Sequence, residues 1–213
     1  MSSATITTSA RLMNSTPQTE EQAMVRKVAV SSFLGNFIEW FDYASYSYFA
    51  TTIALVFFPT DNHTVAMLQT FGVFALSFIL RPIGALFWGS YGDKKGRKAA
   101  LAHSIMFMSG ASFLIGCLPS YSVIGVGAPI LLLLLRMVQG FSASGEYAGA
   151  ATFLGEYAPT SKRGIYCSLI PASTAIGLLA GSTLATLMTA NMNSSAMVGW
   201  GWRVPFLLAG PLG

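Results

Sequence analysis

The chain reads as an all-α, polytopic membrane protein, and three observations carry that expectation. Only 9% of its 213 residues are charged while 53% are hydrophobic, against roughly 25% charged in soluble domains. Five stretches are apolar over the ~20 residues that a bilayer crossing takes. None alternates with the two-residue period of a barrel strand, so each is expected to be a helix. These features exclude an ordinary soluble domain, a disordered chain and a disulfide scaffold. The net charge of +4 does not indicate nucleic acid, because a binder gathers its basic residues on one solvated face. Here the twelve Lys and Arg are scattered among apolar runs.

Residues 1–27 hold nine Ser or Thr in the first nineteen and read as a solvated, disordered cytoplasmic tail. Arg26 and Lys27 then precede an apolar run from Val28 to Phe58. That run is too long for the core of a signal peptide and contains Glu39 and Asp42, so it reads as a retained first helix. The expected spans are 28–57, 66–91, 99–118, 128–157 and 165–190, parted by turn-forming residues at 59–62, 92–96, 119–122 and 159–161. A sixth apolar segment, 202–213, offers about 18 Å of helix at ~1.5 Å per residue, short of a crossing. Residues 28–213 are thus expected to form one transmembrane bundle whose sixth helix is incomplete.

Basic residues give the orientation. Arg11, Arg26 and Lys27 precede the first span. Lys94, Lys95, Arg97 and Lys98 follow the second, and Lys162 and Arg163 follow the fourth. The intervening connections, 59–65 and 119–127, hold no Lys or Arg. The positive-inside rule then places the N-terminus in the cytoplasm, with the chain in the inner or plasma membrane. Arg203, between Trp202 and an apolar segment on the outer side, is expected to anchor at the interface. Cys117 and Cys167 fall near opposite membrane faces and read as packing residues. No metal or cofactor is expected: His63 and His103 have no second ligand at metal spacing. Nor is an enzyme, since no H-E-x-x-H, phosphate loop or ordered Ser/His/Asp set is present.

Five ionisable residues interrupt the spans: Glu39, Asp42, Arg81, Arg136 and Glu146. Each costs about 2.5–3.5 kcal/mol at mid-membrane even on a lenient scale, so pairing, a wet cavity or chemistry has to retain it. Glu39 and Asp42 share a helix face at i, i+3. Glu39, Arg81 and Glu146 lie roughly 15–18 Å deep, near the midplane where transporters build their sites. Three acids against two bases would leave one acid free to take up a proton if all five faced one cavity. Two G-x-x-x-G patterns, 145–149 and 177–181, predict close helix contacts.

The segment Gly89-Ser90-Tyr91-Gly92-Asp93-Lys94-Lys95-Gly96-Arg97-Lys98-Ala99-Ala100-Leu101 resembles the G-x-L-x-D-[RK]-x-G-[RK]-[RK]-x-x-L signature of the major facilitator superfamily, with Tyr91 in place of its Leu. Gly35-Asn36-Phe37-Ile38-Glu39-Trp40-Phe41-Asp42-Tyr43, Arg81-Pro82-Ile83-Gly84, the run from Arg136 to Tyr147, and Trp200-Gly201-Trp202-Arg203-Val204-Pro205-Phe206 resemble the metabolite:proton symporters of that superfamily. That group carries proline/betaine, 2-oxoglutarate, citrate and shikimate. Ser144 departs from the Gly-Gly-Glu that the group shows in its fourth helix.

The resemblance implies a proton-coupled symporter of a small polar metabolite, an osmolyte such as proline or betaine or else a carboxylate, working by alternating access. It places Glu39, Asp42, Arg81, Arg136 and Glu146 on the substrate and proton pathway. A cytoplasmic gate would be made by Gly89, Asp93, Lys94, Gly96, Arg97 and Lys98 with Glu156 and Arg163. A Glu156–Arg97 contact would latch it, and Asp93 would lie near a helix N-terminus. The superfamily has twelve helices, so this chain is expected to be the N-terminal half. Its partners would be the lipid bilayer, the substrate and proton, and a C-terminal half. The alternative is a truncated, membrane-resident fragment without transport.

Overall fold

The computed structural model describes residues 16–212, which form helices and no strand. α1 (Thr16–Tyr48) passes through an irregular Phe49 into α2 (Ala50–Phe57). α3 (His63–Ile79) and α4 (Arg81–Lys95) make the second run, and α5 (Arg97–Cys117) the third. A single turn, α6 (Tyr121–Ile124), leads to α7 (Gly127–Ala143) and α8 (Glu146–Tyr157). α9 (Arg163–Asn191) is the fifth run. α10 (Ser194–Gly199) and a 3₁₀ turn (Gly201–Arg203) then lead to α11 (Val204–Leu212).

By length and composition His63–Lys95, Arg97–Cys117 and Arg163–Asn191 can each cross a membrane. The first and fourth expected spans are not among these three. The first carries two acids, and the fourth divides at Ser144 and Gly145 into the apolar α7 of 17 residues and the separate α8. The expected tail also differs. Residues 16–27 already belong to α1, with Val25 1% exposed against Ala150, Leu154 and Ile170. Val25, Val28 and Ala29 recur at helical spacing and bury one stripe, which outweighs the polar composition of the stretch. Residues 1–15 of that tail lie outside the described residues.

The helix ends have local causes. Pro82 sits in the first turn of α4, where its missing N–H interrupts the hydrogen-bond ladder and separates α4 from α3 at Leu80. Gly96, between α4 and α5, has φ +94°, open to glycine and strained for other residues. The Asn62 side chain caps α3 by accepting from Thr64 N at 3.0 Å and Val65 N at 3.3 Å.

Two close helix contacts shape the bundle. α1 and α9 run parallel, and a Cβ on Gly177 would come within 2.7 Å of the Phe37 carbonyl oxygen, one on Gly181 within 2.7 Å of Ala44 Cβ. On the opposite side a Cβ on Gly140 would lie 1.9 Å from the Ser77 carbonyl oxygen. Of the two G-x-x-x-G patterns only 177–181 works as a contact pair: Gly145 packs on Trp88, but nothing lies within 4 Å of a Cβ on Gly149. One apolar core joins Tyr46, Phe49, Phe57, Leu132, Trp202 and Phe206, and a second joins Val25, Ala29, Leu154 and Ile170. Glu39 and Asp42 lie between them along α1. Arg203 stacks on the Trp202 ring and donates to the Gly116 carbonyl oxygen at 2.8 Å, supplying a donor that the C-terminal turn of α5 lacks.

Candidate functional site

The two acids of α1 are three residues apart, so at about 100° per residue they point some 60° apart. That angle gives them different partners. Asp42 pairs with Arg136 of α7 and accepts from Ser112 Oγ of α5 and Gln139 Nε2, each at 3.2 Å. The Arg136 guanidinium lies 3.9 Å from the Tyr46 ring centroid and 5.5 Å from that of Phe206. Both side chains are sealed, at 1% and 3% exposure. A charge removed so far from solvent is tolerated only with its counter-charge and hydrogen bonds in place.

Glu39 forms a more open pair. It accepts from Tyr43 Oη at 2.8 Å and is bonded to Arg81 at the first residue of α4. Arg81 also bonds Tyr43 Oη, and its guanidinium lies 4.6 Å from the Phe78 ring centroid. The carboxylate is buried at 4% exposure, whereas Arg81 keeps 30%. Arg81 faces two adjoining cavities. One, of about 540 Å³, is walled by Trp40, Tyr43, Phe74, Phe78 and Ser182; the other, of about 600 Å³, by Glu39, Trp40, Phe78 and Ser144. The result is an aromatic-walled space that Arg81 reaches, the one cation among its described lining residues, whose counter-ion is a buried carboxylate.

Four of the five expected pathway residues therefore fall into two pairs, Glu39 with Arg81 and Asp42 with Arg136, and these pairs do not share one cavity. The angle between Glu39 and Asp42 sends the second pair into the core. Glu146 opens α8, and its side chain lies outside the described residues. Of the gate set, Lys94 lies in the last turn of α4, Gly96 is the residue between α4 and α5, Lys98 lies in the first turn of α5, and Asp93 pairs with Arg97 at 3.2 Å, the two 67% and 55% exposed. The Glu156–Arg97 latch is not formed, because Arg97 takes Asp93 one turn away while Glu156 and Arg163 stand exposed. Asp93 lies in the last turn of α4 rather than at a helix N-terminus, because the helix runs on to Lys95. The negative end of the helix dipole there suits Lys94 and Lys95. Gly89 is exposed, with nothing within 4 Å of an added Cβ. Tyr43, Ser112 and Gln139 were not anticipated as site residues. Tyr43 stands one turn beyond Glu39 and Gln139 three residues beyond Arg136, a spacing that could have flagged both.

Residues 27–213 match the sugar (and other) transporter family. The chain belongs to this family of the major facilitator superfamily. It is 42% identical over 193 residues to the proline/betaine transporter of Salmonella typhimurium, covering 91% of this chain and 39% of that protein. The identity is also 42% to the glycine betaine/proline/ectoine/pipecolic acid transporter OusA of Dickeya dadantii, over 91% of this chain and 38% of that one. The chain thus spans about two fifths of the length of these relatives. The fold is similar to that of the proton:xylose symporter XylE bound to 6-bromo-6-deoxy-D-glucose, with a TM-score of 0.74 at 17% identity, over 90% of this chain and 43% of that one. Family and fold are those of membrane transporters, not enzymes.

Proposed function

We propose that this chain is the N-terminal half of a proton-coupled symporter whose substrate bears a carboxylate and, in the favoured case, a cationic nitrogen, as betaine and proline do. The observation that carries this reading is Arg81, 30% exposed to an aromatic-walled cavity while its partner Glu39 is buried. A substrate carboxylate suits the planar guanidinium fork. A quaternary nitrogen, which has no proton to donate, suits aromatic faces such as that of Trp40. The names of the relatives point to the same substrates.

Coupling follows from sharing one arginine. A substrate carboxylate that takes Arg81 leaves Glu39 buried without its cation, and a proton then neutralises it. Substrate and proton thus favour each other's binding, and that mutual preference is symport. Asp42 and Arg136 sit deeper on the same pathway. Residues 1–27 and the turn carrying Lys94, Gly96, Arg97 and Lys98 face the cytoplasm of the cell membrane, with Asp93, Arg97, Glu156 and Arg163 at the gate. Alternating access needs a second bundle moving against this one. The competing reading is a membrane-resident fragment that does not transport.

The test is uptake of labelled glycine betaine into vesicles carrying the product of the native gene. An inward proton gradient should raise accumulation severalfold, and a protonophore should abolish the gain. Accumulation indifferent to the gradient would remove proton coupling, and no uptake at all would favour the fragment. Asp93→Asn should slow uptake severalfold without lowering the amount of protein in the membrane; unchanged uptake would take the 93–97 turn out of the gate.

A further inference from the structure

Asn36 lies one turn before Trp40 on α1 and is 2% exposed. Its amide nitrogen, with two hydrogens to donate, lies within hydrogen-bond reach of three acceptors on α9: the Ile170 carbonyl at 3.0 Å and the Ser173 and Thr174 hydroxyls at 2.8 Å each. Both hydroxyls in turn donate back to the Ile170 carbonyl, at 2.7 and 3.4 Å. The other face of the amide, Oδ1, accepts from Trp40 Nε1 at 3.2 Å. Trp40 lines both cavities beside Arg81. The α9 turn so engaged contains Pro171, which cannot donate to the carbonyl four residues back and so leaves the ladder weakened there. Below it, Gly177 and Gly181 press directly on the α1 backbone.

We propose that Asn36 is a positioning residue of the substrate cavity, fixing the Trp40 indole through Oδ1 and tying it through Nδ2 to the Pro171 turn of α9. This rests on the reading that the Arg81 cavity binds substrate. Apolar residues could hold α1 against α9 at lower desolvation cost, and the 177–181 glycines already seat the two helices. A buried amide that joins a cavity-facing indole to a weakened helical turn does something those contacts do not. A ligand packed on Trp40 is thereby felt by α9, and a shift of α9 re-aims the indole.

Trp40→Phe keeps an aromatic wall, though with a smaller face, and removes the bond to Asn36. In glycine betaine uptake by the native gene product, Trp40→Phe and Asn36→Ala should each raise KM roughly three- to tenfold with Vmax within about twofold. The double variant should be no worse than Trp40→Phe alone, because Asn36 acts through Trp40. Effects that multiply, or an Asn36→Ala defect confined to Vmax or protein amount, would overturn the assignment. If Asn36→Ala does not fold, Ser173→Ala with Thr174→Val removes the α9 side of the link and should raise KM likewise; an unchanged KM there would overturn it too. A second readout does not depend on transport. The chain has four tryptophans, and the difference in emission between native protein and Trp40→Phe isolates Trp40. That component should shift to the red in the Ser173→Ala, Thr174→Val variant. An unshifted component would sink the inference even if uptake behaves as expected, whereas a red shift without any betaine uptake would leave the link standing and remove only the substrate reading.

Discussion

Arg81→Gln is expected to lower glycine betaine uptake, as Vmax/KM, by roughly thirtyfold or more. Removing one partner of a desolvated, hydrogen-bonded charge pair costs about 2–5 kcal/mol, and each 1.4 kcal/mol is about tenfold. The variant leaves Glu39 at 4% exposure without its cation, so it has to be told apart from simple misfolding. Glu39 keeps the Tyr43 hydroxyl at 2.8 Å and can take a proton. The paired variant Glu39→Gln, Arg81→Gln holds no buried charge at this point; it should reach the membrane in native amounts and still fail to transport. Arg81→Lys restores the charge but not the planar fork, and should recover only part of the loss. Glu39→Gln alone mimics a permanently protonated acid, so it should exchange betaine yet lose the dependence on an inward proton gradient. Uptake within about threefold of native in Arg81→Gln would show that the carboxylate binds elsewhere.

How much of this is legible in the amino-acid sequence follows from the physics of each feature. The long apolar runs, the scarcity of charge and the signature around Asp93 were enough for the fold, because lipid leaves a chain few ways to satisfy its backbone. The glycine at 96 was legible as a turn for a similar reason: its φ of +94° is strained for other residues. The charged residues inside the spans were visible as a set, since their cost at mid-membrane marks them. Their partners were not. Glu39 and Asp42 at i, i+3 share a face only loosely, and which pairs with Arg81 and which with Arg136 depends on how α1 is rotated against α4 and α7. That rotation is fixed by contacts such as Gly177 on Phe37 and Gly140 on Ser77, between residues far apart in the chain. The Glu156–Arg97 latch, expected for a shut gate, is not formed in this structure, where Arg97 has a partner one helical turn away in Asp93. Tyr43 and Asn36 stand in the motif of the first helix, but their roles were not assigned from it, because each role exists relative to a cavity or a neighbouring helix.

Asp42→Ala is expected to be the most destabilising single change in the bundle. Arg136 is 1% exposed, and Asp42 is its counter-charge. Truncating the acid leaves a guanidinium in the core with aromatic faces around it and no anion, a situation that costs about 3–5 kcal/mol. Against a folding stability of roughly 5–15 kcal/mol this is a large fraction, and it corresponds to a fall in Tm on the order of 10 °C for a chain of this size. Thermal unfolding of the detergent-solubilised protein measures it. The informative companion is Asp42→Ala with Arg136→Met, which removes both charges and replaces the longer side chain with a flexible apolar one. If the loss comes from an uncompensated charge, the double variant should recover most of the Tm. If it comes from a cavity beside Ser112 and Gln139, the double variant should stay low. A melt of Asp42→Ala within about 2 °C of native would mean that Arg136 does not depend on this acid. The same pair of variants separates stability from transport: a double variant that melts like the native protein but takes up no glycine betaine places Asp42 and Arg136 on the working pathway, whereas one that also transports makes them a packing element that charge happens to supply.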